Sequence, residues 1–174
     1  MNSIKQIFFA ILLVIFFQTN LFSQSAHFVD FKYILNESKA GKEAQTYLKN
    51  KLENGIKNLR NKEKTIQKEE EQIIKQKKLL SAEEYKKKVT KLREKVSSLQ
   101  KERDKLLDGV SKQRSKARAE LLKNLNPVIK DYMNEKKIRM VLDKKSILLA
   151  DENLDITKEI TNLLNKRLKT IKLD

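Results

Sequence analysis

The chain has 174 residues and a formal net charge of +16, with 39 Lys+Arg against 23 Asp+Glu. It holds 3 Gly, 1 Pro, 1 His and no Cys. Those counts exclude a disulfide scaffold, a thiolate metal site and a cysteine nucleophile. They also argue against phosphate loops and His-based acid/base chemistry, so neither an enzyme nor a cofactor or metal is expected. A charged, turn-poor, helix-dominated chain remains.

Residues 1–25 read as a secretory signal peptide. Lys5 is the only charge before residue 27, and an apolar run extends from Ile7 to Phe17. A polar stretch and small residues follow, placing cleavage within 23–26. The apolar run is too short for a membrane-spanning helix, which needs about 20 residues. The alternative is an uncleaved anchor. After cleavage the chain carries +15. Export would place it in the periplasm.

Phe28-Val29-Asp30-Phe31-Lys32-Tyr33-Ile34-Leu35 is rich in aromatic and β-branched residues and reads as a first strand. Residues 39–80 and 81–137 then carry +6 and +8, nearly all of the positive charge. Lys, Glu, Leu, Gln and Arg dominate there, and all are good helix formers. This middle stretch, 39–137, is assigned to a long helical arm.

Leu52, Leu59, Ile66, Ile73 and Leu80 recur every seven residues, as one seam position of a coiled coil does. Ser81 with Glu84 forms a capping box that starts a second helix, so the turn is placed near 81–82. Tyr85, Val89, Leu92, Val96, Leu99, Leu106 and Val110 continue a seam at steps of four and three. Only Arg103 and Gln113 break its apolar rule. Facing residues of an antiparallel hairpin have residue numbers with a constant sum. Leu80 and Tyr85, Ile73 and Leu92, Ile66 and Leu99, and Leu59 and Leu106 all satisfy 165. The neighbouring layer sets Glu63 against Arg103 and predicts an ion pair across the seam; otherwise Arg103 reaches to solvent. Gly55 and Gly109 fall almost level, either as a bending point or as tolerated surface glycines.

Pro127 either bends or breaks the second helix, or restarts it behind an Asn126 cap. Ile138-Arg139-Met140-Val141-Leu142 and Ile147-Leu148-Leu149-Ala150 read as two further strands joined as a hairpin. Asp155 then caps a last helix carrying Ile156, Ile160, Leu163, Leu164 and Leu168. Residues 26–38 and 138–174 are therefore assigned to a small β-containing body. Its core and oligomerisation residues are Phe28, Val29, Phe31, Ile34, Val141, Leu142, Ile147, Leu148 and Leu149. So few short strands are marginal alone, and further copies would cover their edges. The fold class expected is α+β, mostly α: a long antiparallel coiled-coil hairpin projecting from that body.

Three stretches resemble the Skp/OmpH family of periplasmic chaperones. They are Val29 to Ala44, the charged hairpin with Asn126-Pro127 near its return, and Val141 to Asp151 with Leu154-Asp155-Ile156-Thr157. Two details depart from the family pattern: the first strand is short, and Leu149 stands where an aromatic is often found. The resemblance implies a jellyfish-shaped homotrimer whose arms enclose a cavity. It implies a holdase that keeps unfolded outer-membrane proteins from aggregating, without ATP, before membrane insertion. An anionic membrane surface or lipopolysaccharide is a further contact, with no residue carried over for it. Candidate client-binding charges are Lys86, Lys87, Lys88, Lys91, Lys95, Lys101 and Arg114. Ile74, Leu79, Leu107 and Leu122, apolar and outside the seam, would add weak contacts. The alternatives are a structural coiled-coil spacer of the envelope or, against the export signal, a basic nucleic-acid-binding coiled coil. No nucleic acid is expected as partner.

Overall fold

A computed structural model describes residues 26–173. The segment read as a signal peptide lies outside the described residues, as does Asp174. In chain order the elements are β1 (His27–Val29), α1 (Phe31–Glu37), α2 (Lys39–Gln76), α3 (Ala82–Lys136), β2 (Val141–Asp143) and α4 (Thr157–Arg167). Two 3-10 turns, Lys144–Ser146 and Glu152–Leu154, lie between β2 and α4. The architecture is a long helical arm on a small body with little strand.

The strand expected over 28–35 stops at Val29. Asp30 ends it by capping α1, its carboxylate accepting the Tyr33 N–H at 2.8 Å. The Asp30 N–H in turn donates to the buried Thr157 hydroxyl at 2.8 Å. Phe31, Ile34 and Leu35 then share one face at helical spacing, with Ile34 fully buried. So Phe31 and Ile34 reach the core from a helix. The chain bends once more at Ser38, whose hydroxyl caps α2 by accepting the Gly41 N–H at 3.2 Å. The bend brings α2 hard against the end of α1. A Cβ on Gly41 would lie 2.0 Å from the Leu35 carbonyl oxygen, so only glycine fits.

The sheet also differs from expectation. β1 pairs in parallel with β2, His27 opposite Val141 and Val29 opposite Asp143. On its other side Phe28 bridges to Asp155, and the Ile156 N–H donates to the Phe28 carbonyl at 3.0 Å. The expected hairpin of 138–142 with 147–150 does not form. The side of β1 away from β2 is already occupied by Asp155. Asp143 accepts the Lys145 N–H and turns the chain into the first 3-10 turn. Lys144 then ties that turn to Asp155 at 2.8 Å and sits 5.6 Å from the Phe28 ring centroid. Ile147–Ala150 is left outside any strand, with Leu148 and Leu149 almost wholly exposed.

Pro127 neither breaks nor restarts its helix: α3 runs unbroken through it. An interior proline costs about 3 kcal/mol. Around it Leu121, Leu125, Val128 and Ile129 are buried against Val29, Ile34, Ala40, Ile156, Ile160 and Leu164. At about 1.5–3 kcal/mol for each buried side chain, that packing outweighs the lost hydrogen bond. Leu122 belongs to the same region, half-buried against the body core and not exposed on the arm. Both roots of the hairpin thus enter the body, and the boundaries drawn at 39 and 137 cut through a single core.

Beyond the root, α2 and α3 run antiparallel and are joined by residues 77–81. Ser81 and Glu84 form the expected capping box. Hydrogen bonds from Ser81 hold the Glu84 carboxyl below its ordinary range.

The two arm glycines prove unequal. A Cβ on Gly55 would fall 2.5 Å from a Leu106 methyl, whereas one on Gly109 would meet nothing within 4 Å. Neither has a left-handed backbone. Urea unfolding should therefore show Gly109→Ala more stable by about 0.5–1 kcal/mol, the helix-propensity gain. Gly41→Ala should be less stable by more than about 2 kcal/mol, because backbone must move.

Candidate functional site

Most of the candidate site residues lie on the arm. Among the described residues no group of three or more His, Asp or Glu is placed to hold a metal ion. No helix there is long and apolar enough to cross a membrane.

Along the seam, Leu59 and Val110 are buried. Leu52, Ile66, Ile73, Leu80, Tyr85, Val89, Leu92, Leu99 and Leu106 are half-buried, and Val96 is exposed. Ile66 and Leu99 line one cleft, and Leu59 and Leu106 line another. A two-helix arm has no third layer to complete burial, which is why most seam residues stay partly wet.

A ladder of polar contacts flanks this seam. Lys88 donates to Gln76 at 2.7 Å, Lys95 to Glu69 at 2.6 Å, and Lys62 to Glu102 at 2.5 Å. Lys51 donates to Gln113 at 2.9 Å nearer the root. The residue numbers of each pair add to 164. Three of these rungs are heptad-spaced, and the next in the series is Gly55 with Gly109. There Leu106 fills the space over Gly55 in place of a polar pair.

The ion pair expected between Glu63 and Arg103 does not form. Both side chains are exposed on the other flank, and the ion pair at this level is Lys62 with Glu102. An exposed pair offers little net energy once two long side chains are immobilised, so nothing compels Glu63 and Arg103 together. The rungs themselves were within reach of the sequence. The constant-sum rule, applied to the flanks and filtered for opposite charge, picks out Lys95 with Glu69 and Lys62 with Glu102.

All seven candidate client-binding cations are exposed. Lys88 and Lys95 are engaged in rungs. Lys86, Lys87, Lys91, Lys101 and Arg114 have no ion-pair partner among the described residues. Exposed apolar side chains stand among them: Ile74, Leu107 and, at the tip, Leu79, which is 85% exposed. On the root lies a groove of 820 Å³, floored by Ala44, Leu48, Leu52 and Leu121 and rimmed by Arg114 and Arg118.

The body presents a second surface, with Leu148, Leu149, Met140 and Leu142 exposed. Beside it, Lys144 is held protonated above its usual range by its hydrogen bond and charge pairing with Asp155. Desolvation is the largest single effect on Asp155 and acts upward. Hydrogen bonds from Lys144, the Thr157 hydroxyl and the Thr157 N–H together outweigh it, leaving the carboxyl below its ordinary range.

With this geometry in hand, the comparisons with known proteins are specific. A family model described as outer membrane protein (OmpH-like) matches residues 26–164. The chain belongs to the OmpH-like family. A solved structure of similar fold is that of a candidate outer membrane chaperone (OmpH-like) from Caulobacter crescentus CB15, with a TM-score of 0.80. The two are 20% identical over 86% of this chain and 88% of that one, a likeness of fold. A search of the curated proteins gives no significant match. The OmpH-like match spans the arm and the body core but stops before the last turn of α4 and the residues that follow it.

Two measurements probe this geometry. Lys95→Glu should lower arm stability, and adding Glu69→Lys should restore most of it, with a coupling of about 0.5–1 kcal/mol. Asp155 stabilises the fold while ionised, so its contribution is present at neutral pH and lost as pH falls from about 3.9 through its lowered folded value. Asp155→Asn should therefore flatten the loss of stability on acidification below about pH 4. Lys144 has the opposite sense: its contribution holds up to its ordinary value of about 10.4 and is lost above it.

Proposed function

We propose that this chain is an ATP-independent periplasmic holdase. It binds unfolded outer-membrane proteins between basic helical arms and keeps them from aggregating before membrane insertion. The observation that carries this reading is the arm surface itself. A scaffold needed only as a spacer gains nothing from exposed Ile74, Leu79 and Leu107 set among unpaired lysines. A holdase needs both features. Dispersed positive charge attracts acidic clients over a distance of about a Debye length, roughly 8–10 Å at physiological salt. Scattered apolar side chains then make weak contacts that read no particular sequence. Membership of the OmpH-like family and the description of the Caulobacter crescentus relative as a candidate outer membrane chaperone support the same reading.

Function on this scheme requires several arms around one space. The exposed Leu148 and Leu149 and the open outer edge of β2 favour assembly of bodies into a homotrimer. In that assembly Phe28, Val141, Ile147, Leu148 and Leu149 lie at or near the contacts between copies. The signal peptide is removed within 23–26 on export. Catalysis has no part in the scheme, since client capture and release need only the balance of weak contacts.

The test uses the mature chain. Light scattering should give the mass of a trimer, and near-stoichiometric trimer should suppress aggregation of an urea-diluted outer-membrane β-barrel. A monomer without effect on aggregation contradicts the proposal, and a trimer without effect favours the spacer. Replacing Lys86, Lys87 and Lys91 by Gln should weaken client capture at low salt by roughly three- to tenfold and reduce its salt dependence.

A further inference from the structure

The residues after α4 are extended, yet two of them are bound tightly. Leu173 is only 4% exposed and packs among Ala44, Leu48, Val110 and Ala117 on the two arm helices. Ile171 touches that cluster and also the body core formed by Val29, Ile34, Leu125 and Ile160. Among the described residues it is the one apolar side chain shared by both clusters. Lys169 before Ile171 and Lys172 between Ile171 and Leu173 stay exposed. The segment therefore runs from α4, which is anchored in the body, out onto the arm beyond the body core.

A polar contact fixes its end. The Gln113 side-chain amide donates to the Leu173 carbonyl, and Lys51 donates to the Gln113 amide oxygen at 2.9 Å. Gln113 is one of the two residues that break the apolar rule of the second seam. A leucine there would suit the coiled coil better; Gln113 instead links Lys51 to the Leu173 carbonyl. The contact with Leu173 gives it a purpose: an extended chain end must pair its backbone when its side chains are buried.

We propose that residues 168–173 are a strap that ties the arm to the body and limits how far the arm can swing. The physical basis is leverage. The arm enters the body through one core, and a long two-helix lever can pivot where that core ends. The strap adds a second attachment further along the lever, at Leu48 and Val110. Two attachments on a line resist rotation where one does not. Release of Ile171 and Leu173 would cost one buried and one half-buried side chain and the hydrogen bond from Gln113 to the backbone. That makes the strap weaker than the body core and allows it to open without unfolding the body. The segment lies outside the residues the family model matches.

Hydrogen exchange on the full mature chain tests the strap against a variant ending at Thr170. That variant keeps Leu168 and the whole of α4 and removes the arm contacts. Amides of 44–52 and 106–117 should exchange about tenfold faster or more, while those of 121–129 and 156–164 keep their protection. Unchanged exchange at the arm root would overturn the proposal. So would an equal loss throughout the body, because the segment would then be an ordinary part of the body's fold. Gln113→Leu provides the second variant. It should strengthen the seam yet free the Leu173 carbonyl, so that a spin label at Lys172 becomes more mobile. Unchanged mobility of that label would contradict the polar anchor. Spin labels at Ser81 and Asn162 should report a broader tip-to-body distance distribution in the truncated variant; an unchanged width contradicts the limit on swing.

Discussion

The structure depends on the register of one antiparallel seam. Two helices of 38 and 55 residues meet along a single apolar line, and everything else follows from where that line is set. A shift by one residue would rotate the seam side chains off the interface. It would also separate Lys95 from Glu69 and Lys62 from Glu102, and move Leu106 off Gly55. No single rung is strong, since exposed ion pairs contribute at most about 1 kcal/mol. Their value is discrimination, because a slipped register loses all of them at once. The same register delivers Leu121, Leu125, Val128 and Ile129 to the body on one side and Ala40 to it on the other. The body is thus closed by the arm that projects from it.

Much of this was legible because helices are local. The heptads from Leu52 to Leu80 and the capping box at Ser81 need only neighbouring residues to be read. The constant-sum argument then carries one helix onto the other. The sites that escaped are those where a longer-range contact overrode local preference. Phe31–Leu35 has strand composition, but the Asp30 cap and the bond from Asp30 to Thr157, distant in sequence, turn it into a helix. Pro127 looks like a break, but buried flanking residues hold the helix through it. Ile147–Ala150 looks like a strand, but the place beside β1 is taken by Asp155. Gly55 and Gly109 look alike in sequence; only the position of Leu106 separates them.

The arm's two surfaces contrast. The seam side spends its apolar residues on register and leaves them partly wet. The outer side carries exposed cations, several with no ion-pair partner among the described residues, and scatters Ile74, Leu79 and Leu107 among them. Such a surface gives weak, long-range and sequence-tolerant attraction, which suits the transient holding of an unfolded chain. The near-neutral body differs, its two most exposed leucines adjacent at Leu148-Leu149. Positive charge is thus concentrated on the arm, while exposed apolar side chains stand on both arm and body.

The most direct measurement is the distance between paired spin labels along the arm. The chain has no Cys, so two engineered cysteines carry the labels without interference. Chains labelled at Lys64 and Gln100, and others at Lys57 and Leu107, have sites whose residue numbers add to 164. Each, diluted into unlabelled chain, should give one short distance, on the order of 10–20 Å, as helix axes 8–10 Å apart require. Labels at Lys64 and Leu107 should lie about 10 Å further apart along the arm, from 1.5 Å per residue over seven residues. Short distances that persist in the mismatched pair, or long ones in both matched pairs, would contradict the register on which the whole structure rests.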